Sequence, residues 1–331
     1  MAVKDQVQDE QLKQLAMDIP TFLSQSRSKN TQDRYKSGFN KWLTWSEKFS
    51  EISSLPAKPI HVALSLTKLL QSNESLSVIE SSFYAIKHFH KIACLDDPTS
   101  SDLCKNMLEE AKRTAKKVVK KKEPISSLHL HLNYDHIGGT SANLLQLRNF
   151  VIVLLSFAGF FRFSEVANLR RSDVTFNLTH MTIFIERSKT DIYRDGNYSF
   201  IAKTHSALCP VETLQRYFVM AGICDESEVY LFRSVSFLKS QNRYVLRTNN
   251  IPISYTTARE AVMKLLGEIG LNPKQFGLHS LRSGGASAAA NNEIKDRLFK
   301  RHGRWKSERA KDGYVKDSLD DLLSVSLGLG L

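Results

Sequence analysis

The chain has 331 residues, 42% of them hydrophobic and 24% charged, enough apolar material for one large domain or two ordinary ones and too much for disorder over most of its length. Its 46 Lys and Arg against 34 Asp and Glu leave a net charge of +12, which favours an anionic partner, nucleic acid ahead of a membrane surface. The longest apolar run, Phe150 to Phe161, is too short to span a bilayer, and the Met1 to Asp5 start lacks the apolar core of a signal peptide, so an intracellular site of action is expected.

From the N-terminus the pattern is helical. Asn30 or Thr31 can cap a helix whose apolar side is Tyr35, Phe39, Trp42 and Phe49, spaced at threes, fours and sevens. That aromatic stripe reads as core packing in preference to a base-stacking platform. Pro56 and Pro59 precede a second helix near His61 to Gln71, a third follows near Leu76 to Cys94, and Asp97-Pro98 breaks the chain before a fourth beginning near Ser101. Together these make a small helical bundle. Between Ala111 and Lys122, seven of twelve residues are basic (Lys112, Arg113, Lys116, Lys117, Lys120, Lys121, Lys122), and Glu123-Pro124 ends the run. A domain boundary is expected there, giving residues 1–123 a net charge of +5 and residues 124–331 one of +7. The basic run has a plain reading as a solvated helix face or a nuclear import signal, and both are compatible with DNA contact.

The second half mixes types. Leu144 to Gly159 is a strongly apolar helix; Met181 to Glu186 has the content of a strand, and Tyr198 to Ala202 can pair with it across a polar loop holding Asp195-Gly196. Further helices are expected near Val211–Ala221, Thr256–Gly270, Leu281–Asn291 and Ile294–His302. The fold class is therefore mainly α with a small β-sheet. Cys94, Cys104, Cys209 and Cys224 are scattered without a C-x-x-C pair, which reads as reduced core thiols and not as a zinc finger or a disulfide framework.

The residues with chemical promise are cationic and phenolic. Arg162 follows the apolar helix, where a guanidinium loses hydration and needs an anion; Glu165, three residues on, can supply one as a plain ion pair. His279 and Arg282 share one face of a helix start, and Gly284, Gly285 and the alanines after them let another backbone come close. Trp305 precedes Tyr314 by nine residues, and a tyrosine so placed is ordinarily surface decoration unless its neighbours give it work.

Taken together, A-G-x-x-R-x-x-E at residues 158–165, Lys189 in Ser188-Lys189-Thr190, H-x-x-R at His279 and Arg282, Trp305, and Tyr314 resemble the tyrosine recombinases. The intervals agree as well, with 27 residues from Arg162 to Lys189 and 26 from His279 to Trp305. Thr31, Tyr35, Phe39 and Trp42 resemble the helical core-binding domain of the same family, and the phrases around Arg282 and Trp305 resemble recombinases of eukaryotic mobile elements. Two positions depart from the common pattern: Phe161, where many members carry a second arginine, and Trp305, in a slot more often His.

The resemblance implies an N-terminal core-binding domain with a basic linker (1–123) and a mixed α/β catalytic domain (124–331). Arg162 and Arg282 would hold the scissile phosphate, Tyr314 would attack phosphorus to give a 3′-phosphotyrosine, and Lys189 would protonate the leaving 5′-oxygen. His279 would handle the tyrosine proton or the phosphate, Trp305 would donate its indole N–H or buttress Tyr314, and Glu165 would orient Arg162. It further implies double-stranded DNA clamped between the two basic halves, with Lys116, Lys117, Lys120, Lys121 and Lys122 along the backbone, and a homotetramer on paired sites. Neither a metal ion, another cofactor nor a membrane is implied, and in a eukaryotic host the protein would be nuclear. Two other readings fit the charge: a non-catalytic DNA-binding protein descended from a recombinase, which predicts decayed catalytic positions, and a type IB topoisomerase, which needs no paired sites.

Overall fold

The computed structural model describes residues 7–115, 120–186, 191 and 195–329, and it divides into two compact units, residues 1–120 and 121–331. The division falls three residues before the Glu123-Pro124 stop. Among the described residues, no helix is long and apolar enough to cross a membrane.

The first unit is built from α1 (Glu10–Gln25), α2 (Lys29–Ser46), α3 (Pro59–Gln71), α4 (Leu76–Ile92) and α5 (Asp102–Thr114). Three of these helices start where a side chain dictates. Asp9 caps α1 by accepting from the Gln11 and Leu12 amides, Pro59 occupies the first turn of α3, and Ser101 caps α5. Packing of α2 on α4 and of α3 on α5 buries Phe39, Trp42, Val62, Leu66, Ile79, Ile86 and Leu108. The aromatic stripe is therefore core: Trp42 is 0% exposed with its indole N–H on the Ser54 carbonyl, and Phe39 stacks on Phe89 at 4.1 Å. Phe49 lies beyond the end of α2 and is 43% exposed. Two of the four cysteines depart from the expected core location: Cys104 and Cys209 are buried, whereas Cys94 and Cys224 are exposed, and all four are free thiols.

His90 is fully buried in this unit, where its Nδ1–H donates to the Ile86 carbonyl and its Nε2 accepts from the Ala57 amide, each at 2.8 Å. Burial holds its pKa below the ordinary value. A depressed histidine contributes stability that is present above its unfolded pKa of about 6.5 and is lost as pH falls through its folded value. Urea unfolding of the full chain should therefore show a first-unit transition that weakens between pH 7 and pH 5. His90→Gln should flatten that dependence, and His90→Ala should cost about 1–3 kcal/mol by stranding the Ala57 amide. An unchanged pH profile in His90→Gln would show that the imidazole is not the titrating group.

The second unit begins with α6 (Ser127–His136) and α7 (Leu144–Ala158), followed by the single-turn α8 (Phe163–Ala167). Helix α7 is buried without interruption from Phe150 to Ser156 and packs on α9 (Pro210–Ala221) and α11 (His279–Asn291). Strands β1 (Val174–Phe176), β2 (His180–Ile185) and β3 (Asn197–Ala202) form an antiparallel sheet in that order. Met181 faces Ile201 and Ile183 faces Ser199, and alternation sends Met181, Ile183 and Ile185 into the core. A hairpin of β4 (Val235–Leu238) and β5 (Arg243–Leu246) follows α9, and α10 (Tyr255–Glu268) leads to α11. The chain ends with α12 (Asp296–His302), α13 (Glu308–Asp312) and α14 (Leu319–Leu327).

Candidate active site

The site is assembled where α7 ends. Ser156, on the last buried turn, accepts the Phe161 amide, and Phe160 takes a left-handed φ of 48°, so the chain turns sharply and delivers Arg162 as the N-cap of α8. Helix α11 is brought against this corner by its small residues. A Cβ on Gly285 would stand 2.1 Å from the Phe157 carbonyl oxygen, and one on Gly284 2.0 Å from that of Ile125, so only glycine permits these approaches.

One carboxylate organises the cations. Glu165, 3% exposed, accepts the Arg162 amide on Oε2 at 2.9 Å and Arg162 Nη1 on Oε1 at 2.7 Å. Oε2 also accepts Arg304 Nη2 at 3.0 Å, and Arg282 Nη1 lies 3.8 Å away. Burial by itself pushes the carboxyl up, but Arg304 and then Arg162 outweigh it and hold the group below the ordinary range.

Arg282 is 0% exposed; its Nη1 donates to the Phe160 carbonyl, its Nη2 to the Gly303 carbonyl at 2.6 Å. Burial and then the nearby Arg162 charge lower its pKa, and an arginine so lowered still carries its proton at neutral pH. Its guanidinium carbon lies 5.0 Å from the Trp305 ring centre and 4.9 Å from that of Tyr314, and the two rings are 5.6 Å apart. Trp305 is buried against Phe160 and Phe299. Among the described residues, its indole Nε1 and the Nε of Arg282 meet no acceptor. Donors are thus stored unpaired inside a site that presents little but cationic charge, an arrangement suited to a phosphate.

Tyr314 follows α13, and a knot of charge holds that helix in place. The Lys311 ammonium pairs with Asp296, with Glu308 at 2.7 Å and with Asp312 at 3.6 Å, while Lys300 also reaches Glu308. Beyond the tyrosine, the Lys316 amide donates to Ser287 Oγ at 2.9 Å and its ammonium pairs with Glu123.

Of the residues expected from the sequence, Arg162, Glu165, Arg282, Trp305 and Tyr314 come together here. His279 opens α11 one turn before Arg282 and is exposed. Lys189 lies outside the described residues, in the connection from β2 to β3. Of the basic run, Lys116 and Lys117 also lie outside them, Lys120 and Lys121 are exposed, and the Lys122 ammonium is tied to the Lys274 carbonyl. His302 and Arg304, which stand beside Trp305 in the sequence and were assigned no role there, also line the site. His302 donates its Nε2–H to the Ala158 carbonyl at 2.8 Å and packs edge-on against Phe160, and burial keeps its pKa low. Among the described residues, no cluster of three His, Cys, Asp or Glu side chains could hold a metal ion.

Residues 130–319, more than half of the chain and all but part of this site's second unit, match the phage integrase family. The chain belongs to that family. A curated relative, an integrase/recombinase xerD homolog of Selenomonas ruminantium, is 25% identical over 301 residues, covering 89% of this chain and 83% of its own. The fold is shared with the XerH site-specific recombinase solved on its palindromic difH substrate after cleavage, at 15% identity and a TM-score of 0.59 over 89% of this chain and 77% of that one. It is also shared with a lambda integrase dimer on a COC′ core site, at 17% identity and a TM-score of 0.57 over 88% and 90% of the two chains. As a phage integrase family member the protein is a site-specific tyrosine recombinase, an enzyme that cuts and rejoins DNA strands.

Proposed function

We propose that this tyrosine recombinase cleaves double-stranded DNA with Tyr314 as nucleophile, through a 3′-phosphotyrosine, and that Tyr314 acts in the site of its own subunit. The observation that carries the reading is the seat of the Tyr314 ring 4.9 Å from the Arg282 guanidinium and beside Trp305, all within one chain.

A phosphodiester resists attack because its anionic oxygens repel the nucleophile and its alkoxide leaves poorly. Arg162 is the most open of the site's arginines, with 12% of its side chain exposed, and meets the phosphate first. Tyr314 then moves off the face of Arg282, whose Nε and remaining Nη hydrogens take a nonbridging oxygen while its backbone contacts keep it aimed. The Trp305 indole N–H supplies a further donor. The phenol oxygen attacks phosphorus in line as its proton passes to His279, the bond to the 5′-oxygen breaks, and Lys189 gives that oxygen a proton. Attack by a 5′-hydroxyl of the other duplex reverses every step, so the phosphotyrosine conserves the bond energy and exchange needs no ATP.

The basic balance of the chain supports DNA backbone contact by both units, with affinity that falls steeply with salt. A tetramer on paired sites is the expected working form. Lambda integrase is seen as a tetramer on a Holliday junction, and α14 of this chain carries Leu319, Leu322, Leu323, Val325 and Leu327 exposed, an apolar face suited to a neighbouring copy. Integration or excision of a mobile element inside the cell is the process this activity suits.

Covalent trapping tests the reading. Duplexes selected by binding to the protein are nicked near candidate sites so that the freed strand diffuses away, and complexes are resolved under denaturing conditions in EDTA. Wild type should give an adduct at a 3′-phosphate, and Tyr314→Phe should bind the same DNA and give none. Adduct regained on mixing Tyr314→Phe with Arg282→Ala would move the tyrosine to a neighbour's site. Equal binding with no wild-type adduct on several selected duplexes would sink the cleavage chemistry.

A further inference from the structure

Arg304 has no part in the chemistry above, yet it is the most heavily bonded side chain of the site. Its Nη1 donates to the carbonyls of Gly159 at 3.2 Å and His302 at 3.0 Å, and its Nη2 donates to the Phe160 carbonyl at 3.1 Å and to Glu165 Oε2 at 3.0 Å. Its guanidinium lies 4.8 Å from the ring centre of Phe161, and only 5% of the side chain is exposed. The backbone that carries it has a φ of 56°, in the left-handed region that favours glycine. An arginine is thus kept in a conformation better suited to another residue, and what it gains there is one fork spanning the α7–α8 corner, the turn after α12 and Glu165, among the described residues the one carboxylate paired with the site's arginines.

We propose that Arg304 is a positioning residue for strand cleavage: it fixes Glu165 and the Phe160 carbonyl so that Arg162 and Arg282 face the phosphate together, and it brings the site's charge into balance with the transition state. The inference rests on the function proposed above. Three guanidiniums (Arg162, Arg282 and Arg304) around one carboxylate leave two net positive charges. A phosphodiester carries one negative charge, and the five-coordinate phosphorus formed by phenolate attack carries two, so the third arginine matches charge that appears only as the bond forms. Glu165 Oε2 accepts from Arg304 Nη2 at 3.0 Å, so the brace also sets which way this carboxylate faces. The Phe160 carbonyl accepts from both Arg304 and Arg282, which couples the brace directly to the phosphate ligand.

Arg304→Gly and Arg304→Lys separate this role from folding. Glycine suits the left-handed backbone and removes the fork; lysine keeps the charge and cannot reach four acceptors. Both are compared with wild type for adduct formation on nicked duplexes selected by binding to wild type. One copy of each duplex carries an ordinary scissile phosphate, and the other a methylphosphonate, whose methyl group removes one negative charge. On the phosphodiester, Arg304→Gly should cut the rate at saturating DNA by about 10²–10³-fold, with little change in half-saturating DNA, and Arg304→Lys should be intermediate. On the methylphosphonate, the glycine defect should shrink to less than about tenfold, because one positive charge fewer is required. Wild-type rates in both variants would overturn the proposal, as would a defect of equal size on the two substrates, which marks a purely structural arginine. If Arg304→Gly melts well below wild type, the Arg304→Lys comparison on the two substrates decides by the same criterion. If wild type forms no adduct on any duplex, the cleavage chemistry itself falls and this inference with it; adducts from wild type alone, with the methylphosphonate pattern absent, overturn only this one.

Discussion

Glu165→Gln is expected to destabilise the catalytic unit by about 3–5 kcal/mol and to abolish adduct formation. The carboxylate sits 2.7 Å from Arg162, 3.0 Å from Arg304 and 3.8 Å from Arg282. Glutamine keeps the shape but removes the charge, and its amide turns donor hydrogens toward guanidinium donors. Two wholly or nearly buried cations would then face each other with only backbone carbonyls between them, a cost that the surrounding packing cannot relax away. Urea unfolding at pH 7 checks the magnitude, and acid adds a second readout. Because its neighbours hold Glu165 below the ordinary carboxyl range, its contribution is present above the unfolded value of about 4.3 and is lost as pH falls through the folded value. The wild-type midpoint should therefore drop across that window by more than the variant's. A variant as stable as wild type at pH 7 would show that the arginines do not depend on this carboxylate.

The order of helices was legible in the sequence because most of them bury one amphipathic face, and the elements that escaped reading carry a local signal that points elsewhere. Helix α1 has a helical period, with Leu12, Leu15, Ala16, Ile19, Phe22 and Leu23 at threes and fours, but Pro20 interrupts it and only Ala16 is buried, so a reading that ends helices at proline passes it over. In α6 the run Leu128-His129-Leu130-His131-Leu132 alternates like a strand; a reciprocal Ser126–His129 cap turns it helical. The β4–β5 hairpin has no glycine in its connection, where Asn242 supplies the left-handed residue with a φ of 48°. Arg162, Glu165, Arg282, Trp305 and Tyr314, which the structure brings together, were legible as a set through their types and intervals. Their couplings were not. Arg304 meets Glu165 across 139 residues of chain, and one dimension offers no sign that the partner of Arg162 is shared. Nor does it show that Arg282, expected to hold the phosphate, is sealed beneath Tyr314 and Trp305 with both terminal nitrogens on backbone carbonyls.

Arg282→Ala should show the other large effect, a fall of about 10³-fold or more in adduct formation at saturating DNA. Three losses coincide in it. The phosphate loses a ligand, the Gly303 carbonyl loses its Arg282 donor while that of Phe160 keeps Arg304, and the rings of Trp305 and Tyr314 lose the cation they rest on. DNA affinity should fall much less, because one phosphate contact among many changes the salt slope by only about one. Arg282→Lys separates the losses: it retains a positive charge but cannot bridge two carbonyls while offering a fork to phosphate, so it should regain binding and little of the rate. The decisive comparison is a cycle with Arg162→Ala. If the two arginines stabilise one transition state through the shared Glu165 carboxylate, the double variant should be scarcely slower than either single one, as for groups that act as a unit. Multiplying defects would instead mean that each arginine holds its own oxygen independently, and that the common carboxylate orders the resting site without coupling the two during cleavage.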